Sequence, residues 1–105
     1  MKGMDPRQLM AQARKMKDDM DRVQTELKER MVEGKSGDGL VRITFDGNQQ
    51  PVGVRVAAGA HDPSDPTMLE DLLLLAMKDG LAKSKKLSEE AMGRITGGAG
   101  LGGLF

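Results

Sequence analysis

Residues 40–56 read LVRITFDGNQQPVGVRV, and their alternation decides the fold. Val41, Ile43 and Phe45 fall on one side of an extended chain, with Arg42, Thr44 and Asp46 on the other. After the turn residues Asp46-Gly47-Asn48 the pattern resumes, setting Val52, Val54 and Val56 against Gly53 and Arg55. Upstream, Ser36-Gly37-Asp38-Gly39 tolerates the positive φ of a tight connection, so Met31–Lys35 is expected to add a short edge strand. Three antiparallel strands with one apolar face need a cover on that side.

The flanking segments are helical. Asp5-Pro6 pairs an N-capping carboxylate with a proline suited to the first helical position. Leu9, Ala13, Met16, Met20, Val23 and Leu27 then recur at alternating spacings of four and three, a narrow coiled-coil seam. A helix from Pro6 to about Arg30 would be roughly 37 Å long, more than a small sheet can cover. Downstream of a loop at 58–65, Asp65-Pro66 repeats the start signal, with Thr67 to Glu70 offering a competing capping box. Met68, Leu69, Leu72, Leu73, Ala76 and Met77 make a wide apolar face suited to the sheet. Gly80, costly within a helix by about 1 kcal/mol, points to a bend or a close helix contact, and Thr96-Gly97-Gly98 ends the helix. The expected class is α+β in the order α-β-β-β-α, with one domain at 1–96 and a flexible Gly-rich tail at 97–105.

Composition excludes several functions. The absence of cysteine removes disulfides and thiolate metal sites. His61, the single histidine, sits in a polar loop with Asp62 and Asp65, a poor donor set for zinc. Gly98 to Gly103 fits G-x-G-x-x-G, but no strand precedes it and no helix follows, so it is no dinucleotide motif. There is no G-x-S-x-G elbow, and Glu89-Glu90 lies on an exposed helix, so no enzyme and no cofactor are expected. Neither a secretory signal nor an apolar run of membrane-spanning length is present, and a soluble cytoplasmic protein with no small-molecule substrate is expected.

The 16 basic and 16 acidic residues cancel in sum but not in position. Lys2, Arg7, Arg14, Lys15 and Lys17 face Asp5 alone in the first 17 residues, and Lys78, Lys83, Lys85 and Lys86 face only Asp79. Acids gather at Asp18, Asp19 and Asp21 and again from Asp62 to Asp71. Such segregation suits either solvated helix faces or contact with phosphates.

Leu9-Met10 with Gln12-Ala13, Met16, Met20 and Gln24 to Leu27 resembles the first helix of the YbaB/EbfC family. Val32-Glu33-Gly34 with Ser36-Gly37, Gly39-Leu40-Val41 and Gly47 is similar to that family's strand-turn-strand core, and Met68-Leu69-Glu70-Asp71-Leu72 to the opening of its last helix. The resemblance implies a homodimer with strands joined into one sheet and long helices projecting like tweezers. It also implies nucleoid-associated binding of duplex DNA with limited sequence preference. The candidate DNA contacts are Lys2, Arg7, Arg14, Lys15 and Lys17, with Lys83, Lys85 and Lys86 as a second line. The alternative is a protein-interaction module whose Met-rich helices dock a partner.

Overall fold

The computed structural model describes residues 5–98, with side chains as far as Ile95. Its elements are α1 (Pro6–Glu29), β1 (Met31–Ser36), β2 (Val41–Asp46), β3 (Pro51–Val56) and α2 (Pro66–Gly98). Short 3-10 turns at 37–39 and 58–60 complete the connections. The expected order α-β-β-β-α stands. The domain boundary at 96 falls within α2, and residues 99–105 of the Gly-rich tail lie outside the described residues.

Both Asp-Pro starts operate. Asp5 Oδ1 accepts the Arg7 N–H at 2.8 Å and Pro6 opens α1. At α2 the helix opens on Pro66 and not after Thr67, whose hydroxyl donates to Asp65 Oδ1 at 2.8 Å. The β1–β2 connection runs through Gly37, Asp38 and Gly39, all with positive φ, the conformation those residue types tolerate.

The sheet order is β1-β2-β3, antiparallel throughout. A bulge lies between Thr44 and Phe45 in the β2–β3 pair, beside the second turn. Strict alternation would leave Asp46 facing water. It is buried instead, and its Oδ1 accepts the N–H groups of Asn48 and Gln50 at 2.8 and 3.0 Å, closing the turn.

The core unites Val41, Ile43 and Phe45 with Ala60 and with Ala76 of α2. Gly80 makes the close contact foreshadowed by its place in a helix. A Cβ on Gly80 would meet the Phe45 ring, and one on Gly34 would meet the backbone of Ala76 and Gly80. Helix and edge strand therefore pack backbone to backbone. Polar ties fix the register: Ser36 Oγ donates to the Leu72 carbonyl at 2.6 Å, and the Lys35 N–H donates to Asp79 Oδ2 at 2.9 Å. Ser84, fully buried, donates to the Asp46 carbonyl at 2.6 Å and accepts the Gln49 N–H at 3.0 Å.

The cover is narrower than the apolar face. α2 lies over β1 and β2, while Val52, Val54 and Val56 of β3 remain 54%, 58% and 43% exposed. These valines look to the same side as the core, because Val54 stands opposite Ile43 and Val56 opposite Val41. Leu74, Leu75, Met77 and Leu81 of α2 are exposed too.

Candidate nucleic-acid interface

The molecule measures 73 × 23 × 16 Å because both helices outrun the sheet. α1 is rooted at its C-terminal end, where Leu27 is buried and its carbonyl accepts the Gly47 N–H at 2.8 Å. Gly47 has no room for a side chain against Leu27. Asn48 adds a bond from its Nδ2 to the Gln24 carbonyl at 3.0 Å. From this root α1 runs back alongside the far end of α2, and the two form an arm.

The cover of the seam falls away with distance from the root. Leu27 is buried, Val23, Met20 and Met16 are half-buried, and Ala13 and Leu9 are exposed. An open groove of about 960 Å³ follows it, walled by Met16 and Val23 on one side and Ala91 and Ile95 on the other, and reaching Leu9.

On a helix turning 100° per residue, Arg7 and Arg14 point directly away from the seam, with Lys15 and Lys17 to either side of them. All four are exposed, and none takes part in an ion pair among the described residues. One turn nearer the root the same outer face becomes acidic at Asp18 and Asp21. On α1 the outer half, residues 7–17, therefore carries a net positive charge, whereas from residue 18 to 30 Arg22, Lys28 and Arg30 are outnumbered by Asp18, Asp19, Asp21, Glu26 and Glu29. Lys2 lies outside the described residues.

The second line of lysines stands elsewhere. Lys83 is tied into the fold, its ammonium donating to Asp79 Oδ2 and to the Glu33 carbonyl, both at 2.9 Å. The Lys35 N–H, followed by the Lys83 ammonium, holds the Asp79 carboxyl below its ordinary pKa. Lys85 and Lys86 are exposed beside Ser84, at the root of the arm. Lys17 is ten residues from Leu27 along α1, so the two basic groups are separated by on the order of 15 Å or more.

Two groups of cations escaped the sequence reading. Arg94 lines the groove from α2, while Arg22 and Arg30 line it from α1 and its C-terminal end. Its position depends on how far α2 accompanies α1, which periodicity does not state. Arg42 and Arg55 stand opposite each other on the uncovered face of the sheet. Strand alternation placed both on polar faces, but only the pairing register makes them neighbours.

Among the described residues no group of three or more His, Asp or Glu gathers to hold a metal ion, and no helix is long and apolar enough to cross a membrane. Around His61, the Asp62 carboxylate accepts both the hydroxyl and the N–H of Ser64, bonds that lower its pKa and belong to a local turn.

Comparison with known proteins agrees with this geometry. A solved structure of an uncharacterized protein from Helicobacter pylori superposes with a TM-score of 0.76 at 23% identity, over 84% of this chain and 92% of that one, which establishes the shared fold. A nucleoid-associated protein of Chloroflexus aurantiacus is 40% identical over 102 residues, 97% of this chain and all of its own. One from Pelotomaculum thermopropionicum is 37% identical over the full length of both. The model of the YbaB/EbfC DNA-binding family, a family of nucleoid-associated proteins and not of enzymes, matches residues 1–99. Helix, hairpin and arm therefore carry a family signature along nearly the whole chain, which belongs to the YbaB/EbfC DNA-binding family.

Proposed function

We propose that this chain is a homodimer that binds duplex DNA through the basic outer halves of its arms, with limited sequence preference. In this role it organises or compacts the nucleoid of the bacterial cytoplasm. The observation that carries the reading is the net positive charge of the part of α1 farthest from the sheet, where residues 6–17 hold four cations and no acid. Arg7, Arg14, Lys15 and Lys17 stand there exposed and without an ion pair among the described residues, and phosphate binding depends on such local charge and not on the zero net sum.

Duplex is favoured over single strands by the scarcity of aromatic side chains. Phe45, the one Phe, Tyr or Trp among the described residues, is buried against Gly80 and offers no ring for base stacking. Long cationic side chains on phosphates orient a duplex without reading it, which accounts for weak sequence preference. The second copy is supported by β3, an edge strand with three exposed valines on the core side of the sheet. An edge this apolar is a template for pairing.

The test is a gel shift on the triple variant Arg14→Glu, Lys15→Glu, Lys17→Glu, with the mass in solution measured alongside. Loss of duplex binding with the dimer retained is the expected result. Binding equal to that of the parent protein rejects the arm as the contact surface.

The open apolar groove along α1 favours a second reading, in which the arm docks a protein partner. Nuclease-insensitive co-purification with one protein, without salt-dependent retention on duplex DNA, would select it.

A further inference from the structure

The sheet has two faces, and α2 occupies one of them. On the other, strand pairing sets Lys35 opposite Arg42 and Arg42 opposite Arg55, one cation from each strand in a single row. With strands about 4.8 Å apart, the row spans roughly 10 Å. Glu33 is the acid beside it on the sheet, 3.0 Å from Arg42 Nη1 and 3.6 Å from Lys35 Nζ, and Asp79 of α2 meets the Lys35 end of the row through the Lys35 N–H. Glu33 lies on β1, two strands from Arg55, and Arg55 makes no ion pair among the described residues. The next row, Glu33-Thr44-Gly53, adds no further cation and no other acid.

Like charges directly opposite each other weaken a sheet. The Arg42–Arg55 pair is therefore an electrostatic burden on the fold, and an arriving anion relieves it. The surface is also shaped. Arg42 is oriented by Glu33 and by the Gly39 carbonyl, which accepts from its Nε at 3.3 Å. A shallow depression of about 460 Å³ lies between the two arginines, Gly39 and Ala57. Nothing comes within 4 Å of the place a side chain on Gly53 would take, so the strand beside Arg55 is open to a flat approach.

We propose that the Lys35-Arg42-Arg55 row is a second phosphate-contacting surface, on the sheet and apart from the arms, and that it takes the backbone of duplex DNA. The proposal rests on the DNA-binding reading above and adds a contact that the arms do not supply. Its occupant is nucleic acid because the row offers charge at strand spacing with no aromatic platform. Phe45, the aromatic residue of these strands, is buried on the opposite face.

Arg55→Thr in the full chain tests it, since threonine removes the charge and suits a strand. Lys28→Gln, an exposed cation in the last turn of α1, makes the same charge change elsewhere. Both are compared with the parent and with the triple arm variant in duplex titrations over a salt series, and in thermal melts at low salt. Arg55→Thr is expected to lower the slope of log K against log salt by about 0.9 per bound protomer. That corresponds to roughly an eightfold loss of affinity at 0.1 M salt. Its melting temperature should rise at low salt, with the gain fading as salt screens the repulsion. Lys28→Gln should keep the parent slope. An unchanged slope in Arg55→Thr, while the parent binds and the arm variant does not, overturns the sheet row and spares the arms. Lost affinity accompanied by a lowered melting temperature also counts against it, because structural damage produces that pairing. A parent protein that ignores duplex DNA overturns both.

Discussion

Replacing Gly34 by alanine should separate α2 from the sheet. A Cβ at this position is aimed at the Ala76 carbonyl and the Gly80 backbone, atoms that cannot swing aside as a side chain can. Glycine within a strand is weaker than alanine by roughly 0.5–1 kcal/mol, so an open site would gain from the change. Overpacking of a tight interior costs about 1–3 kcal/mol and more where backbone must move. The clash therefore dominates, and a net loss of about 2 kcal/mol or more is expected. For a domain near 100 residues, 1 kcal/mol moves the melting point by about 4–8 °C, so Gly34→Ala should melt roughly 10 °C or more below the parent. Urea titrations followed by circular dichroism, at one fixed protein concentration, would measure it. Gly80→Ala is the companion. There the tightest contact is the buried Phe45 ring, with the Gly34 backbone nitrogen farther off at 3.2 Å, and helix propensity returns about 1 kcal/mol, so its loss should be the smaller of the two. A Gly34→Ala protein as stable as the parent, with the same urea dependence, would refute the claim that strand and helix meet backbone to backbone.

Other outcomes follow from single contacts. Ser84→Ala removes the hydroxyl that links the Gln49 N–H to the Asp46 carbonyl and leaves these two groups only their longer 3.3 Å bond to each other, so it should cost about 1 kcal/mol in the same titration. Asp79 has a lowered pKa, so its contribution is present above the ordinary aspartate range and is lost as pH falls through the lowered value. Asp79→Asn should remove that part of the acid-side decline, visible as a flatter stability profile from neutral pH into the acid region. Val54→Asp places a charge in the exposed valine row, and sedimentation should show a dimer shifted toward monomer while the monomer keeps its circular dichroism spectrum.

Much of the fold was written in local chemistry. The Asp-Pro pairs located both helix starts, and the alternation of residues 40–56 identified two strands, because each signal lies within a few residues of its effect. The extent of the cover was not legible. Val52, Val54 and Val56 look as buried as Val41 and Ile43 when read along the chain, and only the lateral position of α2 over β1 and β2 separates them. Asp46 deceived for a related reason, since the bulge beside it and the turn it closes break the alternation. Of the candidate site, sequence supplied the charges on α1 but not their separation from Lys85 and Lys86, nor the engagement of Lys83 by Asp79 and Glu33. Those are matters of where two distant segments meet.

The rooting of α1 at Leu27 gives the arm the mechanics of a lever. Leu9 stands eighteen residues from that pivot, about 27 Å along the axis, and the outer turns of α1 are exposed among the described residues. A tilt of about 10° at the pivot sweeps the tip through on the order of 5 Å, close to the difference in width between the two grooves of a duplex. A small adjustment among Leu27, Gly47 and Asn48 thus resets the reach of the arm, while the sheet and the packed stretch of α2 keep their geometry.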